Sequence, residues 1–94
     1  MNAAADSPAG SVHLLYFAWL RERVGGAEER VDLPAGVRTV GALLDWLAVR
    51  DERHAAAFAQ RGLVRCAVNQ TFASPATPIE AGDEIAFFPP VTGG

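Results

Sequence analysis

The segment TVGALLDWLAVR, residues 39–50, sets Val40, Leu43, Leu44 and Leu47 at i, i+3, i+4 and i+7. That spacing lines one side of an α-helix with apolar side chains, and Thr39 stands where an N-cap is needed. It is the clearest helix in a chain of 94 residues. A chain of that length buries only about 60–65 % of its unfolded surface, so the stripe must find its cover in the flanking strands. These read as VHLLYFAW (12–19), EERVDL (28–33), LVRCAVN (63–69) and IAFF (85–88), short runs rich in β-branched, aromatic and aliphatic residues. LRERVGG (20–26) predicts a short helical turn ended by Gly25 and Gly26, and 51–60 a weaker helical stretch stopped by Gly62. The two prolines of QTFASPATP bar it from a central strand. The order strand, strand, helix, strand, strand predicts an α+β domain, a mixed sheet with one main helix across one face and a right-handed crossover. With no internal linker, the reading is one domain over 12–90, a disordered leader over 1–11 and a flexible tail over 91–94.

Strand alternation then assigns faces. Val12, Leu14 and Tyr16 share one face of the first strand, and His13, Leu15 and Phe17 the other. In the last strand Ile85 and Phe87 are in phase, so Phe88 takes the opposite side. If the helix covers Tyr16 and Phe87, then Phe17 and Phe88 are exposed. Phe72 sits in a proline-bounded loop where no regular face requires an aromatic ring. Two readings stay open: segments 51–62 and 70–79 cover this second face, or it is an apolar patch that receives a partner.

Several function classes fall away. A formal net charge of −3 leaves no basic footprint for nucleic acid and no polybasic membrane signal. No apolar run approaches the ~20 residues that span a bilayer, and MNAAADSPAGS lacks the basic and apolar regions of a signal peptide. The expected location is the cytoplasm. The one cysteine, Cys66, excludes an internal disulfide and a four-thiolate metal site, and its in-phase neighbours Val64 and Val68 predict a buried, inert thiol. His13 and His54 have no metal-ligand spacing and read as surface histidines; no metal site is expected. Glu80, Asp83 and Glu84 read as solvated turn carboxylates. No self-contained catalytic set emerges. All eight basic residues are arginine, so the chain has no lysine side chain to accept an isopeptide bond.

The end, DEIAFFPPVTGG, carries the remaining chemistry. Pro89 and Pro90 fix φ and stop the strand. Gly93 and Gly94 lack a Cβ and can pass through a channel too narrow for other residues. The reactive group of such a tail is the α-carboxylate, which becomes electrophilic once activated, for example as an acyl adenylate, and is then open to sulfur or amine nucleophiles.

The segments LLYFAWLRERVG (14–25), AVNQTF (67–72), GDEIAFFPP (82–90) and VTGG (91–94) together resemble the MoaD family of ubiquitin-like sulfur carriers, the small subunits of molybdopterin synthase. The resemblance covers residues 12–94. It implies a β-grasp, ubiquitin-like fold. It implies that an E1-like, MoeB-like enzyme uses ATP to adenylate Gly94, that a sulfurtransferase donor replaces AMP to leave a thiocarboxylate, and that the tail Val91, Thr92, Gly93 enters a MoaE-like large subunit. Sulfur then passes to cyclic pyranopterin monophosphate to build the dithiolene, two charged carriers being consumed per product. The chain is then a sulfur-donating subunit of a heterotetramer rather than a catalyst, with no bound cofactor. The same resemblance places Phe17, Phe72, Phe88, Pro89 and Pro90 at the partner interface. Carriers of the thiamine thiazole pathway, and ubiquitin-like modifiers that form isopeptide bonds through Gly94, are the alternatives.

Overall fold

The structure, a computed structural model, describes residues 10–90. Val91, Thr92, Gly93 and Gly94 of the expected tail, and residues 1–9 of the expected leader, lie outside the described residues. Gly10 and Ser11, also assigned to the leader, belong to the fold: β1 opens at Ser11, and the Gly10 carbonyl accepts from the Leu33 N–H at 2.9 Å.

The elements in chain order are β1 (Ser11–Tyr16), α1 (Trp19–Val24), β2 (Glu28–Asp32), α2 (Val40–Ala48), α3 (Glu52–Ala57), a 3₁₀ turn (Arg61–Leu63), β3 (Arg65–Val68), β4 (Thr71–Ala73) and β5 (Glu84–Phe88). The sheet order is β2-β1-β5-β3-β4. The first and last strands run parallel at its centre, and the other neighbours are antiparallel. Thr39 caps α2 as expected, its hydroxyl accepting from the Ala42 N–H at 3.1 Å. Gly25 ends α1 in the left-handed conformation at φ 91°, which only glycine adopts at no steric cost.

The helix stripe Val40, Leu43, Leu44 and Leu47 is buried against Val12, Leu14, Tyr16, Ile85 and Phe87. An aromatic triad closes the core at the C-terminal end of the central strands. Tyr16 stacks on Phe87 with ring centroids 5.7 Å apart, and Phe58 meets Phe87 edge-on at 5.1 Å. Such pairs add about 0.5–1.5 kcal/mol beyond their buried area.

Two features depart from the sequence reading. Thr71–Ala73 is a fifth strand where a loop was expected, so Phe72 stands on a sheet edge. The hairpin that makes it turns on Asn69 and Gln70, both at positive φ (50° and 71°), a two-residue turn usually marked by glycine. The Asn69 side chain supports the turn, donating to Asp83 at 3.0 Å and accepting from the Glu84 N–H at 3.0 Å.

The second departure is His54, expected on the surface and found buried. Asp51 caps α3, accepting from the His54 N–H at 2.8 Å. The cap turns the imidazole inward, between Asp51 Oδ1 (2.8 Å from Nδ1) and Glu29 Oε2 (2.7 Å from Nε2). Glu29 also accepts from the Tyr16 hydroxyl at 2.7 Å and from Arg50 at 2.9 Å. Burial and the Glu29 hydrogen bond hold the Tyr16 phenol well above its ordinary range. Burial alone would raise the Glu29 carboxyl, but hydrogen bonds from His54 and Tyr16, with the charge of Arg50, outweigh it and hold Glu29 below the usual carboxylate value.

A carboxylate depressed in the folded state stabilises the fold above its unfolded pKa, and that contribution is lost as pH falls through the folded value. We therefore expect Glu29→Gln to destabilise at pH 7 by about 1 kcal/mol, the scale of a partly exposed charge-assisted network. The gap to wild type should close on acidification below the ordinary carboxylate pKa of 4.5. Urea unfolding across a pH series reads this; a gap constant with pH would show that Glu29 acts by packing alone.

Candidate functional site

The two faces of the sheet differ. One carries the helices. Residues 52–58 belong to that side too, with His54, Ala57 and Phe58 buried in or beside the core, so they do not cover the second face.

On the second face the strand registers align Phe72, Ala67, Ala86 and Leu15 in one cross-sheet row, and Arg65 with Phe88 in the next. The two alanines make a low floor with larger side chains rising at its ends. Phe72 is 85 % exposed. Its ring lies 6.0 Å from that of Phe88, which is why Phe88 is half-buried rather than fully exposed as expected. Arg65, Cys66, Phe72, Ala73, Phe88 and Pro90 line an open hollow of about 340 Å³. Pro89 and Pro90 leave β5 at its rim, so the root of the tail is part of the aromatic patch.

Phe17 stands at the same end of the sheet and is half exposed. Its N–H donates to the Phe87 carbonyl at 3.0 Å, which extends the β1–β5 ladder by one residue. It forms no ring pair with Phe72 or Phe88 among the described residues, so the structure brings two of the three expected phenylalanines into contact and sets the third nearby. Ala18 follows at φ 57°, ψ −135°, and the Leu20 N–H closes the turn on the Phe17 carbonyl at 3.2 Å. That sharp turn sends Phe17 outward while Leu20 enters the core. An alanine at this positive φ is strained by roughly 1–3 kcal/mol.

Cys66 points to the other face, opposite Arg65, and is buried as expected. Burial pushes its thiol up to about 12, so it stays protonated near neutrality and is a poor nucleophile. Among the described residues no group of three His, Cys, Asp or Glu side chains is placed to hold a metal ion, and no helix is long and apolar enough to cross a membrane.

Comparison with known proteins gives this arrangement a context. The ThiS family model matches residues 14–94. The molybdopterin synthase sulfur carrier subunit of Escherichia coli (strain K12) is 43 % identical over 83 residues, which is 88 % of this chain and 99 % of that protein. Among solved structures, a putative molybdopterin converting factor subunit 1 from Pyrococcus furiosus superposes with a TM-score of 0.71 at 31 % identity, over 87 % of this chain and 99 % of that one. SAMP1 from Haloferax volcanii, a small archaeal modifier protein, does so at 0.69 and 35 %, over 90 % and 100 %. The fold is the ubiquitin-like β-grasp that the sequence led us to expect.

The face assignment can be checked without a partner. Phe87→Ala should cost about 3–5 kcal/mol, since a core ring is lost, whereas Phe72→Ala should change stability by no more than about 0.5 kcal/mol. Comparable losses in chemical denaturation would mean that both rings are core. Cys66→Ala should lower stability by about 1 kcal/mol and leave sulfur transfer intact; a stable but inactive variant would bring the thiol into the chemistry.

Proposed function

The chain belongs to the ThiS family, and on that premise we propose that it is the sulfur carrier subunit of molybdopterin synthase, acting through a thiocarboxylate on Gly94. The observation that carries this reading is the likeness to the E. coli sulfur carrier subunit over 99 % of that protein's length, with the family match running through Gly94. The geometry agrees with it. The tail starts at Pro90, on the rim of the only aromatic pair that the described sheet leaves on its open face. A partner seated on Phe72 and Phe88 therefore also meets Pro90, the last residue before the tail.

The proposed chemistry asks one thing of this chain, a carboxylate on a thin leash. The Gly94 carboxylate attacks the α-phosphorus of ATP on an E1-like enzyme, and pyrophosphate leaves. Sulfide-level sulfur, supplied through a sulfurtransferase and a thiol reductant, attacks the acyl carbon; AMP leaves and the thiocarboxylate remains. In the large subunit that sulfur is transferred to cyclic pyranopterin monophosphate, and two charged carriers complete the dithiolene. In this reading Val91 and Thr92 supply length to the tail, and Gly93 keeps its last step free of a Cβ. Phe72, Phe88, Pro89, Pro90 and Phe17 form the docking end. The use of ATP and reduced sulfur supports a cytoplasmic setting for this activity.

A second reading, a protein modifier joined to amines through Gly94, is favoured by the likeness to SAMP1. The two differ in product. Deleting Gly94 shortens the tail by about 3.5 Å, and misplacement of about 1 Å can already cost a hundredfold in rate. With the activating enzyme, ATP and a sulfur donor, the wild type should gain the mass of a thiocarboxylate and convert the pterin in the presence of the large subunit. The deleted form should dock but lose conversion at least a hundredfold. Wild-type conversion rates from the shortened chain would overturn the tail mechanism, and covalent protein conjugates without pterin conversion would favour the modifier.

A further inference from the structure

We infer that Arg65 is the ionic selector of the docking face: a partner that covers Phe72 and Phe88 must present a carboxylate to the Arg65 guanidinium. The inference rests on the carrier reading above and names a specificity residue within it. Arg65 stands directly across from Phe88 in the β3–β5 ladder, and directly opposed side chains in adjacent strands have Cβ atoms about 4.5–5.5 Å apart. It also lines the same hollow as Phe72, Phe88 and Pro90. A surface that seals over the two rings cannot leave Arg65 in water.

The charge of Arg65 is not met within the described residues. The ion pairs there engage Arg50 with Glu29 and Arg61 with Asp45, while Glu28, Glu29 and Asp51 contact the two histidines. Arg23 and Arg50 lie over tryptophan rings; Arg65 takes part in neither arrangement. On its own face of β5 the carboxylate is Glu84, four residues from Phe88, or about 13 Å along the strand. That exceeds the screening length of about 8 Å at physiological ionic strength. Among the described residues, the end of the face beside Pro90 thus carries a positive charge with no carboxylate partner, next to two aromatic rings, on a chain whose net charge is −3.

Burying a guanidinium without an acceptor is costly, and meeting it with a bidentate carboxylate is among the strong pairings available to a side chain. The same residue therefore favours a partner with an acid at that point and disfavours one with an apolar or basic surface, which is specificity by both attraction and exclusion. The required occupant is the large subunit of the synthase, with an Asp or Glu facing the start of β3.

The test compares wild type with Arg65→Leu and Arg65→Lys, after thermal melts confirm that both fold, as expected for an exposed strand position. Arg65→Leu should bind the large subunit at least tenfold more weakly, with a flatter dependence of the association rate on salt. The loss should fall on KM for the charged carrier rather than on kcat. Arg65→Lys should recover part of the affinity, since it keeps the charge but not the fork. Binding of Arg65→Leu at wild-type affinity, or weakened binding with unchanged salt dependence, overturns the ionic role. So does a loss confined to adenylation by the activating enzyme, which would place the acid there. Wild-type protein that converts no pterin defeats the carrier reading and this inference together; wild-type conversion with an indifferent Arg65→Leu defeats this inference alone.

Discussion

The structure depends on the parallel pairing of β1 with β5. Tyr16 is in register with Phe87, and their stacked rings fix which side of β5 is core. Because successive side chains on a strand point to opposite faces, that one register sends Phe88 to the open face and starts Pro89 from it. A slip of one residue would exchange Phe87 and Phe88, emptying the core of its central ring and removing the aromatic wall from the hollow at the tail root. The core ring and the aromatic wall of the open face are thus two consequences of one register.

That register explains why much of the site could be read from the sequence. Two adjacent phenylalanines in a strand must diverge, and the helix stripe at Val40, Leu43, Leu44 and Leu47 decides which of them is covered. The helices were legible because their caps are local: Thr39 and Gly25 act on backbone within a few residues. β4 was not legible, because its turn uses Asn69 and Gln70 at positive φ and draws its support from Asp83 and Glu84, more than ten positions away. The pairing of Phe72 with Phe88 depends on that hairpin, and no spacing rule predicts it.

The buried histidine was missed for a related reason, although two signals were present. Tyr16 is in phase with Val12 and Leu14 on the covered face, and a buried phenol needs a hydrogen-bond partner. Asp51 followed three positions later by His54 is an N-cap geometry that can hold the side chain as well as the backbone. Glu29 on β2 supplies the third group. What the network achieves is local and structural: it ties β1, β2, the end of α2 and α3 together beside the aromatic triad, on the face opposite the hollow. Of the two histidines, His54 is the one buried within the fold.

The division of charge around the sheet follows from the same economy of surface. The edge strand β2 reads Glu28, Glu29, Arg30, Val31, Asp32, and charges along an edge discourage pairing with another chain. The opposite edge, β4, is three residues long and uncharged, so its shortness rather than its charge limits unwanted extension. An exposed aromatic pair beside a short neutral edge is a place where a small domain would bind indiscriminately. Arg65 stands in the row of Phe88, where a charge interrupts the apolar surface without disturbing the floor of Ala67 and Ala86. The side chain that interrupts the apolar surface of this face is therefore the same one inferred to select what covers it.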